Sequence, residues 1–191
     1  MRYDFDTPYE RRGTGAVKWD ETPDGGLPMW IADMDLPTAA PVAEAIERRA
    51  AHHVYGYTDI NDDWRKAYSG WWKNRHGFEM DPDKLIFSTG VIPTISSCVR
   101  RLTAPGEKVL ILTPVYNIFY NSIVNNGRFV LECPLLYDRT GYEIDWKGLE
   151  RGLSDPQTSL MILCNPHNPV GKIWDAAALA EIARLCAERG V

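Results

Sequence analysis

The chain has 191 residues, of which 45% are hydrophobic and 25% are charged, and its formal net charge is −5. This size and composition are typical of a globular domain with a sizeable core. The negative net charge and the lack of a basic cluster argue against electrostatic binding to nucleic acid or to acidic membranes. No apolar run approaches the ~18 residues that a membrane span needs. We therefore expect neither nucleic acid nor a membrane as a partner.

The four cysteines are widely spaced in apolar surroundings, and none belongs to a Cys-x-x-Cys pair or a Cys/His cluster. Such spacing gives no support to a zinc site or another metal site. Reduced, buried thiols are the better interpretation, and they predict a cytoplasmic protein.

The N-terminal part of the chain predicts an irregular segment followed by two helices. Glycine and proline interrupt any period over residues 1–40. Thr38 is positioned to cap a helix over residues 39–53, and a second helix over 62–77 is expected to end at Gly77. An aromatic stripe on the second helix indicates a core or a subunit interface rather than a cofactor site; its members are Trp64, Tyr68 and Trp71.

The rest of the chain alternates apolar runs with helical patterns. The runs predict four strands, at residues 84–88 (KLIFS), 107–113 (EKVLILT), 128–135 (RFVLECPL) and 159–164 (SLMILC). The helical patterns lie at residues 89–103, 116–127, 145–155 and 175–190, the third weakened by two glycines. This alternation predicts an α/β fold with an open, mostly parallel sheet and helices on both faces.

Three strand ends carry unusual residues: STGVIPT at 88–94, TPVYNIFY at 113–120 and CNPHNPVG at 164–171. Ligands of open α/β sheets bind beyond the carboxyl ends of the strands. We therefore expect these three segments to converge on one rim of the sheet and to form a ligand site.

Each segment has a functional and a structural interpretation. Gly90 at a helix start favours a phosphate-like anion, or it serves a plain strand-to-helix turn. Tyr116 stacks on a flat ring ligand, or it packs under a loop. Asn168 lies in a loop stiffened by proline and offers an amide to a phenolate-like oxygen. The neighbouring His167 is interpreted as a structural or supporting residue rather than as a base.

The segment HNPVG closely resembles the NPxNPTG signature of class I/II aminotransferase-like enzymes, the fold type I enzymes that use pyridoxal 5′-phosphate. Val170 stands where that signature usually has threonine. The stretches LPMWIADMDLPTAAPV, YGYTD, FSTGVIP, TPVYNIFY and CNPHNPVGKIW occur in the family's order. The ADMD stretch together with TPVYNIFY looks most like the cystathionine β-lyase branch, the MalY/PatB-type C–S lyases.

The resemblance implies a set of cofactor contacts. The backbone amides of Gly90, Val91 and Ile92 would hold the phosphate of pyridoxal 5′-phosphate. Tyr116 would stack on the pyridine ring, and Asn168 would hydrogen-bond the 3′ oxygen of the ring.

The resemblance also implies a homodimer, in which Tyr57 reaches the phosphate bound to the neighbouring subunit. Taken on its own, Tyr57 is a helix-flanking aromatic residue. Asp33 and Asp35 are equally well explained as turn and capping residues, and we assign them no chemical role.

The implied activity is α,β-elimination from a small sulfur-containing amino acid, which gives a thiol, pyruvate and ammonia. A class I/II aminotransferase is the second hypothesis, since it shares the early chemistry. The third hypothesis is a non-catalytic remnant that binds a ligand or a partner.

The resemblance places the Schiff-base lysine beyond these residues, since none of the seven lysines lies in a matching motif. We therefore expect an N-terminal fragment that is inactive alone. Residues 1–40 would belong to the small domain or a dimer arm, and residues 41–191 would form the N-terminal part of the large cofactor-binding domain.

Overall fold

The structure, a computed structural model, describes residues 4–191. The helices of these residues are α1 (Val17–Asp20), α2 (Ala40–Ala50), α3 (Asp62–His76), a 3-10 turn (Pro82–Lys84), α4 (Val91–Leu102), α5 (Ile118–Val124), α6 (Trp146–Leu153) and α7 (Ala176–Arg189). The strands are β1 (Lys108–Thr113), β2 (Phe129–Pro134), β3 (Leu136–Tyr137), β4 (Tyr142–Glu143) and β5 (Thr158–Ile162). The residues form two compact units that divide after Asp59. The domain boundary expected after residue 40 stays a prediction.

The second unit is built on a three-stranded parallel sheet in the order β2-β1-β5. Strand β1 lies in the middle, with Ile111 opposite Glu132 on one side and Ile162 on the other. The apolar, β-branched run of β1 suits a strand that is covered on both faces. Strands β3 and β4 form a separate two-stranded antiparallel hairpin.

Alternate residues of β1 belong to two different hydrophobic cores. Leu110 and Leu112 are buried in a core to which α6 and α7 contribute. Val109 and Ile111 are buried in a second core formed with α4 and α5. Because successive strand residues point to opposite faces, the sheet has helices on both sides. The predicted α/β class with a parallel sheet is confirmed.

The strand predicted over residues 84–88 is wrong. Residues Pro82–Lys84 form the 3-10 turn, and the following residues belong to no strand in the described part of the chain. Ile86 is 91% exposed. An apolar run becomes a strand only where a neighbour completes its ladder of hydrogen bonds, and none of residues 4–191 does so here.

The two N-terminal helix predictions have different outcomes at their ends. Helix α3 ends at Gly77, whose φ of 63° is the left-handed conformation that glycine adopts easily. The cap proposed at Thr38 is wrong, because α2 begins after Ala39 and no side chain caps it. Pro41 in the first turn fixes a helical φ and needs no N–H partner, so it favours this start without a cap.

The first unit is held by an ion-pair cluster that local sequence patterns do not reveal. Arg11 contacts Asp33 at 2.7 Å and Asp35 at 2.6 Å, and Lys18 contacts Asp35 at 2.7 Å. The indole N–H of Trp19 also donates to Asp35, over 2.7 Å. Hydrogen bonds from Lys18, Trp19 and Arg11 hold the pKa of Asp35 well below its usual range. Asp33 and Asp35 are therefore ion-pair partners, and not the turn and capping residues that the sequence suggested.

Among residues 4–191, no helix is both long enough and apolar enough to cross a membrane.

Candidate ligand-binding site

The three unusual segments meet within the second unit, although the first, at residues 88–94, follows no strand and leads directly into α4. Strands β1 and β5 are parallel neighbours, so their carboxyl ends lie at the same edge of the sheet. Ile92, Val115 and Cys164, one residue from each segment, share one hydrophobic cluster. The chain therefore brings the start of α4 and the loops after β1 and β5 to one place.

Helix α4 begins at this edge without a side-chain cap. The hydroxyls of Ser88 and Thr94 both donate to the carbonyl of Gly90, at 3.1 and 2.9 Å, and not to the N–H groups of the first turn. The positive end of the helix dipole and its first N–H groups thus remain for an acceptor outside this helix.

Gly90 is not required by the conformation of the chain. Its φ of 165° is extended backbone. A β carbon at this position would have a single neighbour within 4 Å, Cδ of Pro93 at 3.6 Å, which is an ordinary contact. The space above Gly90 is therefore open to a ligand that approaches the start of α4.

Tyr116 lies on the loop after β1 and is 38% exposed. Its ring meets the ring of Phe119 edge to face, with centroids 5.9 Å apart. Phe119 is buried in the core, so one side of the Tyr116 ring is supported and part of the ring is open to solvent.

The two asparagines of the loop after β5 have different surroundings. Oδ1 of Asn165 accepts a hydrogen bond from the N–H of Trp174 over 3.1 Å, which ties the loop to the segment before α7. Asn168 is exposed, and its backbone N–H donates to Sγ of Cys164 over 3.4 Å. Both asparagines are exposed, but the side-chain oxygen of Asn165 is engaged within the chain, whereas no hydrogen bond within residues 4–191 is shown for the side-chain amide of Asn168.

His167 is buried between these asparagines, with 1% of its surface exposed. Its Nε2 lies 3.1 Å from the carbonyl oxygen of Pro114, and the indole Nε1 of Trp174 lies 3.3 Å from its Nδ1. Burial lowers the pKa of His167, while the carbonyls of Pro114 and Leu112 oppose that shift. The sequence predicted a structural His167 but missed its partner Trp174. The available signal was a tryptophan close to the loop, since a buried indole N–H needs an acceptor.

An apolar groove of about 360 Å³ runs beside Gly90 and Val91. Its walls include Leu85 and Ile86, which fail to form the predicted strand. The rings of Trp64 and Tyr68 are stacked 5.9 Å apart and also line this groove. Two members of the predicted aromatic stripe therefore lie beside the α4 start, and Tyr68 and Trp71 are both exposed.

Tyr57 belongs to the first unit and is fully exposed. Its predicted contact with a second subunit stays a prediction. Lys172, beside the loop after β5, is engaged with Glu143 at 2.6 Å and with the ring of Trp174 at 5.5 Å.

Comparison with known proteins identifies the family to which these features belong. The chain is 43% identical to cystathionine β-lyase PatB of Bacillus subtilis and 35% identical to protein MalY of Escherichia coli. These matches cover 98% and 99% of the chain but 50% of each relative, so the chain spans about half the length of the curated relatives it matches. The structure superposes on cystalysin from Treponema denticola, which contains pyridoxal 5′-phosphate, with a TM-score of 0.91 and 33% identity. That match covers all of the chain and 50% of cystalysin.

The sequence of residues 31–191 matches the family described as aminotransferase class I and II. This match confirms the resemblance carried by the HNPVG segment and extends it over most of the chain. The chain belongs to the aminotransferase class I and II family.

Proposed function

We propose that this chain supplies the cofactor-phosphate side of a pyridoxal 5′-phosphate-dependent C–S β-lyase. The observation that carries the proposal is the meeting of an uncapped helix start, an exposed tyrosine and an exposed asparagine amide at one sheet edge. The relatives support the reaction class, since PatB is a cystathionine β-lyase. The activity is proposed for a protein that joins this chain to residues matching the other half of those relatives.

The residues at this edge fit a flat, phosphorylated ring. The N–H groups of Gly90, Val91 and Ile92 would hold the phosphate, and the open space above Gly90 leaves room for it. Tyr116 would stack on the ring, supported from behind by Phe119. Asn168 would donate its amide to the 3′ oxygen of the ring.

Pyridoxal 5′-phosphate, when bound, supplies an electron sink for the charge released from the α carbon of an amino acid. Departure of a thiol from the β carbon then yields pyruvate and ammonia after addition of water. This chain's part is to bind and orient. The phosphate contacts fix one end of the ring, Tyr116 covers a face and Asn168 stabilises negative charge on the ring oxygen. The lysine that binds the cofactor aldehyde would come from outside the residues described.

An aminotransferase remains the second candidate, because it is the activity for which the family is named. Both reactions begin by removing the α proton; in β-elimination the thiol then leaves from the β carbon, whereas in transamination the amino group is passed on to a keto acid. Nothing at the cofactor edge of this chain favours one over the other, so we place the lyase first on the name of its relative PatB, a cystathionine β-lyase.

Cofactor binding is tested on the 191-residue chain with 4′-deoxypyridoxine 5′-phosphate. This analogue has no aldehyde, so it cannot react with the chain's lysines. Calorimetry should detect binding to the native chain, and Asn168→Ala should weaken it by about tenfold, the cost of one hydrogen bond to a charged group. Asn74→Ala, at an exposed asparagine of α3, is the matched control and should bind like the native chain. Equal affinities of all three proteins would contradict the role of Asn168.

The reaction class is tested with cystathionine. The 191-residue chain supplied with pyridoxal 5′-phosphate should release no pyruvate. A protein of the relatives' full length that contains this chain should release pyruvate, ammonia and thiol in equal amounts. Exchange of the amino group with a keto acid, without pyruvate release, would instead establish the aminotransferase.

The homodimer and the contact of Tyr57 with the partner's phosphate are part of the proposal. The full exposure of Tyr57 supports it, because a side chain that serves a second subunit must project from its own. If so, the affinity for the analogue should rise with protein concentration in the native chain but not in Tyr57→Phe. Affinities that do not depend on concentration in either protein would exclude a shared site.

We place the protein in the cytoplasm. All four of its cysteines are free thiols, but the prediction that they are buried holds only for Cys133, since Cys164 and Cys186 are half-buried and Cys98 is exposed. Cys133 and Cys186 have raised pKa values because each is at least partly buried, which makes them poor nucleophiles. Four free thiols, one of them exposed, suit a reducing compartment. Activity that is unchanged after alkylation of the accessible thiols would support this view.

A further inference from the structure

The loop that carries Asn168 is exposed, yet the side chain of His167 is buried inside it. Backbone hydrogen bonds close this loop on itself: the N–H of His167 donates to Lys172 over 2.7 Å, and the N–H of Gly171 donates to His167 over 2.8 Å. The imidazole of His167 reaches from this closed loop to the carbonyl oxygen of Pro114, in the loop after β1.

The two ring contacts allow a single protonation state. An indole N–H is only a donor, so Nδ1 of His167 must accept from Trp174 and carries no proton. A carbonyl is only an acceptor, so Nε2 must carry the proton that it donates to Pro114. The neutral Nε2–H tautomer satisfies both bonds. In the charged ring Nδ1 would also carry a proton, and this N–H would face the indole N–H of Trp174, which is a donor too.

The imidazole thereby links two segments that are remote in sequence. Pro114 lies two residues before Tyr116, and His167 is the residue before Asn168. One side of the ring is held by Trp174, which is 3% exposed and meets it edge to face at 5.7 Å. Trp174 is in turn held by Asn165 through its backbone N–H.

We propose that His167 is a positioning residue that fixes the placement of Tyr116 relative to Asn168 and so makes this site selective for a flat ring with a phenolate-type oxygen. His167 touches neither substrate nor cofactor and acts through its two neighbours. The ligand part of this inference rests on the proposed function, while the bridge itself stands on the contacts of Pro114, His167 and Trp174.

The bridge is tested first without any ligand. In the ligand-free chain labelled with nitrogen-15, NMR at neutral pH should show His167 with Nδ1 unprotonated and Nε2 protonated. His167→Phe keeps a ring of similar size but makes neither bond, whereas His167→Gln keeps a donor and an acceptor. The amide resonances of Asn168 and the ring resonances of Tyr116 should move in the phenylalanine variant and stay close to native in the glutamine variant. A charged ring or the Nδ1–H tautomer in the native chain would overturn the inference.

Ligand binding then separates positioning from packing. Affinity for 4′-deoxypyridoxine 5′-phosphate should fall about tenfold in His167→Phe, as for one lost hydrogen bond to a charged group, and should recover in His167→Gln. Affinity for inorganic phosphate, which needs only the start of α4, should stay unchanged in both variants. Equal losses for the two ligands would show that His167 only supports the core, and would overturn the inference.

A third variant keeps the test decisive if His167→Phe does not fold. Trp174→Phe removes the donor to Nδ1 and leaves the bond to Pro114, so His167 should begin to exchange between its tautomers. Persistence of the Nε2–H tautomer alone in that variant would overturn the role given to Trp174. If the native chain shows the expected tautomer but binds no analogue, the proposed function fails and the ligand part of the inference is overturned with it, while the bridge between the loops is supported.

Discussion

Gly90 precedes α4 at a position where neither backbone conformation nor packing demands a glycine. Most glycines of this chain differ from it, because they adopt a positive φ in turns or at helix ends. Because Gly90 also stands at the uncapped start of α4, we explain its small size by a ligand that approaches the first N–H groups of this helix. His167 is the converse case, since its burial and its two ring bonds are explained entirely by neighbours within the chain.

Gly90→Ala should separate stability from binding. We expect the free energy of unfolding to change by less than about 1 kcal/mol, because the added methyl group has room. Affinity for 4′-deoxypyridoxine 5′-phosphate should fall by about tenfold or more, because the methyl group occupies the approach to the N–H groups. Gly70→Ala, in the interior of α3, is the control and should raise stability by about 0.5–1 kcal/mol without changing affinity. Two variants with the same affinity would contradict the phosphate site.

His167 should make stability depend on pH. Burial lowers its pKa from the ordinary value of 6.5, so the unfolded chain takes up a proton at a pH where the folded chain does not. The stability that neutral His167 contributes is therefore fully present above pH 6.5. The free energy of unfolding decreases as the pH falls below that value, by at most about 1.4 kcal/mol per pH unit. Urea unfolding of the native chain and of His167→Gln across this range isolates the effect, because the other histidines are shared. Parallel pH profiles would show that His167 does not titrate as inferred.

At the scale of elements, α6 shows how one helix is fitted to the sheet. A β carbon on Gly152 would lie 2.7 Å from Cδ1 of Leu110, which is fully buried in the core of β1 and α6. The glycine that weakens this helix in isolation therefore permits its close approach to the sheet. Gly148 has no such role, since the nearest atoms to a β carbon there belong to the half-buried side chain of Asp145, at the start of α6.

Matched glycine substitutions in α6 should have opposite signs. Gly152→Ala should lower the free energy of unfolding by about 1–3 kcal/mol, because Leu110 is packed and cannot retreat freely. Gly148→Ala should be neutral or stabilising by up to about 1 kcal/mol, because Asp145 can rotate away and alanine favours the helix. Chemical denaturation measures both. A destabilised Gly148→Ala with a neutral Gly152→Ala would contradict the packing described.

Local sequence patterns predicted the elements that carry their own signals. The apolar run of β1 and the helix end at Gly77 are examples, whereas the cofactor contacts assigned to Gly90, Tyr116 and Asn168 stay a prediction. The run at residues 84–88 has the same local signal as β1 but lacks a neighbour that completes its ladder, which no local pattern reports. The contacts of Asp35 and the ring partners of His167 join residues that are remote in sequence, so they too required the structure.

At the scale of the whole molecule, both cores of the second unit meet at β1, while large apolar side chains remain exposed elsewhere. The groove walled by Leu85 and Ile86 is contiguous with the aromatic pair of α3. Contiguous exposed apolar surface favours association, whereas single exposed apolar residues are ordinary.

Ile86→Lys should reduce self-association of the 191-residue chain. Light scattering coupled to size-exclusion chromatography should give a mass above 21.7 kDa for the native chain and a lower average mass for the variant. Leu102→Lys, at an exposed residue outside the groove, is the control and should behave like the native chain. Equal masses for all three proteins would assign the association to another surface.

The different surroundings of Asn165 and Asn168 have a consequence for how this loop varies. Two identical Asn-Pro dipeptides lie three positions apart, and both asparagines are exposed, but only the side chain of Asn165 is tied to the rest of the loop by a hydrogen bond, from Trp174. A defect at the first should be suppressed by stabilising changes anywhere in the unit, because lost fold stability can be restored from a distance. A defect at the second should resist such suppressors and yield only to changes in the ligand or at the rim itself. A screen for second-site revertants should therefore find many distant suppressors for substitutions of Asn165 and few for substitutions of Asn168.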